Sequence, residues 1–142
     1  MTKSPALFKV LFVAALTIVL VRCGGNMMAN MSSRQLQSIT VTPATASSTN
    51  GGTGVQFTAT GMYSMAPVTV MSPPVLWSIG GAFTAAPVPA GVSIDAQGMA
   101  RCTGFVGTIM IAATAPMDPN MPLSKMSMMT SNVAGTAQFT CM

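Results

Sequence analysis

The sequence predicts an all-β fold, an antiparallel sandwich of about seven strands. Three observations predict it. Beyond residue 35, no stretch repeats its apolar residues at the spacing of an amphipathic helix. Apolar and polar residues alternate there in short runs. Clusters of Gly, Pro, Ser and Asn separate the runs, as turns separate strands.

The elements follow in order. LQSITVTP (36–43) is the first strand, stopped by Pro43, which has no N–H to give a ladder. SSTNGGTG (47–54) is a turn-rich break. VQFTATG (55–61) alternates cleanly, with Val55, Phe57 and Ala59 on one face and Gln56, Thr58 and Thr60 on the other. PVTVM (67–71) is a short strand. PVLWSI (74–79) puts Val75 and Trp77 on one face. GVSIDAQGMARC (91–102) reads as two strand pieces around the turn 95–98, where Asp and Gly hold the outer positions. GTIMIAATA (107–115) turns Ile109, Ile111 and Ala113 inward. GTAQFTC (135–141) does the same with Ala137, Phe139 and Cys141.

Seven or so short strands with a single Trp on a middle one fit an immunoglobulin-like sandwich of roughly 100 residues. Its expected core is Phe57, Trp77, Ile109, Ile111 and Phe139. For Trp77, filler between the sheets is preferred to a platform for a ligand.

The phrases ITVTPATAS, VQFTATGMYS, VLWS, GVSIDAQGMA and GTIMIAATA succeed one another over roughly residues 36–141. In order and spacing this resembles the bacterial Ig-like domains of group 2, the invasin/intimin-like class. The resemblance implies a sandwich fold and an extracellular setting, with structural, adhesive or protein-interaction roles. It implies no catalytic residues. The sequence departs from that pattern in Met- and Pro-rich insertions at 62–74 and 116–130.

Ahead of the domain, MTKSPALFK carries two Lys, and VLFVAALTIVLV (10–21) is apolar apart from Thr17. A basic start and a short apolar run make an export signal. A spanning helix needs roughly 20 apolar residues. Cys23 follows directly, in LVRC. This resembles the lipobox of bacterial lipoproteins, in which the Cys thiol receives a diacylglycerol and becomes the mature N-terminus. Leu20 and Val21 fit that pattern, and Arg22 stands where it has a small residue. The expected organisation is a signal peptide over 1–22, a lipid anchor and tether over 23–35, and the sandwich over 36–142. The expected location is the cell envelope, with the membrane as one partner and an envelope or surface protein, or a glycan, as another.

Composition narrows the chemistry. The chain of 142 residues has a net charge of +4. Lys3, Lys9 and Arg22 belong to the leader, which leaves Arg34, Arg101 and Lys125 against Asp95 and Asp118. So balanced a domain has no basic stripe for nucleic acid. There is no His and no Glu. General acid–base catalysis draws on such groups, a Ser or Cys nucleophile needs a neighbouring base, and zinc sites need Cys and His sets. The expectation is a non-enzymatic protein with no cofactor.

Fifteen residues are Met. Met117, Met121, Met126, Met128 and Met129 crowd into 117–129. Thioethers are soft ligands for Cu(I), so a copper-binding protein is the alternative reading. The preferred one is a loosely packed loop between the last two strands. With Cys23 acylated, Cys102 and Cys141 remain. Alternation turns both inward, and an exported pair tends to close. The loop between them would make such a bridge worth about 4 kcal/mol. Two buried free thiols are the alternative.

Overall fold

The computed structural model describes residues 33–82, 87–127 and 131–142. The expected signal segment, Cys23, and Met128 and Met129 lie outside the described residues. Ser33–Met142 forms a compact unit. Arg34 and Gln35, expected in the tether, belong to it.

Its strands are β1 (Leu36–Thr42), β2 (Thr45–Ser48), β3 (Val55–Gln56), β4 (Thr58–Tyr63), β5 (Thr69–Met71), β6 (Leu76–Ile79), β7 (Val92–Ile94), β8 (Met99–Cys102), β9 (Gly107–Pro116) and β10 (Asn132–Cys141). One layer is β1-β4-β5 continued by β3-β8-β7, because β3 and β4 are two halves of one extended stretch. The other is β2-β10-β9-β6. Leaving aside β2 and β5, the strands fall into the two-sheet order of an immunoglobulin-type sandwich, with β1, β3/β4, β8 and β7 facing β6, β9 and β10. The all-β sandwich expected from the sequence is the fold observed.

Alternation builds the core between the layers. Phe57, Phe139, Leu36, Ile111, Cys102 and Cys141 are the largest fully buried side chains. Burying each of the large apolar ones stabilises the fold by roughly 1.5–3 kcal/mol. Phe57 meets Phe139 edge-to-face at 5.8 Å between ring centres, joining the two layers at the middle. Gly135 lets β1 approach β10 closely. A Cβ there would overlap the carbonyl group and Cγ2 of Ile39.

Several expectations change in detail. The stretch 55–61 breaks at Phe57, whose N–H donates to the Gly98 carbonyl at 2.9 Å, and its second half runs on to Tyr63. The break expected over 47–54 is shorter, because Thr45–Ser48 pairs in parallel with Gln138–Cys141. That strand needs no alternating pattern: it lies at a sheet edge, and its one apolar residue, Ala46, packs on the core from the side. Residues Ile111–Pro116 are buried on both faces of β9 rather than alternating. Three of the six are Ala, and the stretch is a central strand paired with β6 on one side and β10 on the other.

Trp77 and Ile109 are packed against the core but only half-buried. For Trp77 the reason is position. It lies on β6, the last strand of its sheet, where the layers part at their rim.

Candidate functional site

The rim beside Trp77 opens into a cleft of about 430 Å³, lined by Gln56, Pro73, Pro74, Trp77, Gln97 and Leu123 among others. Each wall has a local cause. Asp95 Oδ1 accepts the backbone N–H groups of Gln97 and Met99, both at 2.9 Å, and shapes the turn between β7 and β8. Gln56 Nε2 donates to the carbonyls of Phe57 at 2.9 Å and Gln97 at 2.7 Å, which fastens that turn to β3. Gly98 completes the turn at φ +86°, and the Trp77 ring lies against it. Leu123 arrives from the opposite side, in a single 3₁₀ turn (Leu123–Lys125) of the long loop after β9.

Every residue lining the cleft is uncharged. It offers an indole, proline rings and amide groups, a surface for apolar and hydrogen-bond contacts rather than proton transfer. A smaller neighbour of about 200 Å³ shares Pro74 and Leu123 and adds Tyr63, Pro119 and Met121.

The charged side chains serve elsewhere. Asp118 Oδ1 accepts the backbone and side-chain N–H groups of Asn120 at 2.9 and 3.1 Å. Both carboxylates of the chain therefore shape turns. Arg101 Nη1 donates to the Thr53 carbonyl at 3.0 Å. Arg34 lies 3.8 Å from the centre of the Tyr63 ring and donates to the carbonyls of Met65 at 3.2 Å and Pro67 at 2.7 Å. It thereby closes the loop between β4 and β5. Nothing in the sequence pattern marks Arg34 or Gln56 for these tasks, because the carbonyls they tie down, those of Met65, Pro67 and Gln97, lie 31 to 41 residues away.

Cys102 on β8 and Cys141 on β10 form a disulfide across the two layers, with Cα atoms 5.8 Å apart. Of the methionines weighed for copper, Met117, Met121 and Met126 are half-buried. Met117 is fixed by its backbone, which donates to Ser131 and accepts from Leu36. Among the described residues, no group of three or more His, Cys, Asp or Glu gathers to hold a metal ion.

No protein-family model matches the chain, and no curated protein matches it.

Proposed function

We propose that the chain is exported and held on the cell envelope by lipid on Cys23, with its Ig-like domain in a structural, adhesive or protein-interaction role and no catalytic one. The observation that carries this reading is the Cys102–Cys141 bridge. Disulfides persist in oxidising spaces outside the cytosol and are rare within it. The basic start, the short apolar run and the Cys23 that follows supply a route to such a space. The motif order shared with group 2 bacterial Ig-like domains supports a surface module. The use of both carboxylates as turn acceptors supports the non-catalytic part. The uncharged cleft at Trp77 suits a protein or glycan surface better than an ionic ligand.

The test is the intact mass of the full-length gene product extracted from bacterial membranes. The expected species begins at Cys23 and carries acyl chains, and Cys23→Ser moves the protein to the soluble fraction. An unacylated chain beginning downstream of Cys23 refutes the anchor.

A further inference from the structure

Among the described residues, the core holds no methionine. Its buried apolar side chains are Leu, Ile, Val, Phe, Tyr, Ala and the two cysteines. Methionine is ordinarily among the residues most often buried, as an adaptable filler of core gaps. Here the nine methionines of the described residues all reach the surface. Met99, Met117, Met121 and Met126 are half-buried. Met62, Met65, Met71, Met110 and Met142 are exposed, at 50%, 39%, 75%, 45% and 59%.

The exposed five are spread over both layers. Thr69 pairs with Met62 and Met71 with Thr60, so Met62 and Met71 are diagonal neighbours on one outer face. Met65 lies in the loop that joins their strands, the loop closed by Arg34. Met110 is on the outer face of β9, and Met142 follows β10.

We infer that these five thioethers are an oxidant-consuming surface, modified to sulfoxide by two-electron oxidants such as hypochlorous acid and peroxides while the fold stays intact. The reaction transfers one oxygen atom. With hypochlorous acid, the sulfur of R–S–CH3 takes the oxygen and loses two electrons, the chlorine leaves as chloride, and the proton goes to solvent. With hydrogen peroxide the reduced product is water. Sulfoxide is polar and disrupts a core built from methionine. On this surface the new oxygen points to water, and the described side chains between the sheets include no thioether to oxidise. Cys102 and Cys141 are already joined and buried, so the domain presents no thiol that would react first.

The experiment titrates the purified full chain with hypochlorous acid and follows intact mass, peptide maps and thermal unfolding. A trace of N-acetylmethionine amide is included as a competitor. Among the nine described methionines, the first oxygens are expected on Met62, Met65, Met71, Met110 and Met142, with the cooperative unfolding transition retained. Methionine sulfoxide reductases with dithiothreitol should then restore the starting mass. In the M62L/M65L/M71L/M110L/M142L variant, oxidation of the competitor should rise at least about twofold at equal oxidant. Should that variant fail to fold, M62L/M71L is compared instead, with a smaller rise expected. Loss of the unfolding transition while only the exposed five are oxidised overturns the inference. So does oxidation that begins at the half-buried methionines, or a folded variant that spares the competitor as well as the original chain does.

Discussion

Gly98 shows how much one position can be asked to do. Its φ of +86° lies in the left-handed region, which costs other residues about 1–2 kcal/mol. The space is closed as well. A Cβ would stand 2.6 Å from the Phe57 carbonyl oxygen and 2.9 Å from two ring atoms of Trp77. Gly98→Ala is therefore expected to combine backbone strain with overpacking and to destabilise the domain by about 3 kcal/mol. Urea unfolding followed by the single tryptophan measures this directly. A change below about 0.5 kcal/mol would show that the turn and the indole relax together. Arg34 works by different means, placing a planar cation on the Tyr63 ring and two hydrogen bonds on the loop beyond it.

The elements were legible in the sequence where a strand has one wet face and one dry one. Val55, Phe57 and Ala59, or Ala137, Phe139 and Cys141, mark their inner faces by parity alone, and the structure places each of them on or against the core. Legibility failed where pairing is made by backbone. β2 carries TASS and shows no pattern, because its place is set by hydrogen bonds such as Gln138 N–H to the Ala44 carbonyl at 2.9 Å. The cleft was not legible either. Parity turns Trp77 inward, but only topology shows that β6 is an edge, so that inward means the rim. The loop ahead of β3 has a role that composition hides. Asn50 N–H donates to the Met142 carbonyl, Gly51 N–H to the Cys102 carbonyl, and Asn50 Oδ1 accepts from Gly104 N–H. These bonds gather the same end of both layers that the disulfide joins. C102A/C141A should leave the strand content intact and lower stability by up to about 4 kcal/mol, or the melting temperature by more than about 10 °C. A variant that melts within about 2 °C of the original would show the backbone bonds to be sufficient there.

At the scale of the whole molecule, the 39-residue separation between the bridged cysteines makes a covalent ring. That ring takes in β9, the long loop after it and β10. The loop is the exposed part of the ring, and Lys125 stands on it with its side chain in solvent. Arg101, by contrast, lies within the β8 ladder. Arg34 is held on the Tyr63 ring and two carbonyls, so within the domain trypsin should cut first after Lys125. The piece that carries β10 would remain joined to the rest through Cys141, and its ten ladder pairs with β9 would stay in register. Without reductant the nicked protein should gain one water in mass and migrate as a single species. With reductant it should part in two under denaturing conditions. Release of the C-terminal piece without reductant would mean that the ring is open. A domain built this way can suffer a severed backbone at this loop and still be one molecule.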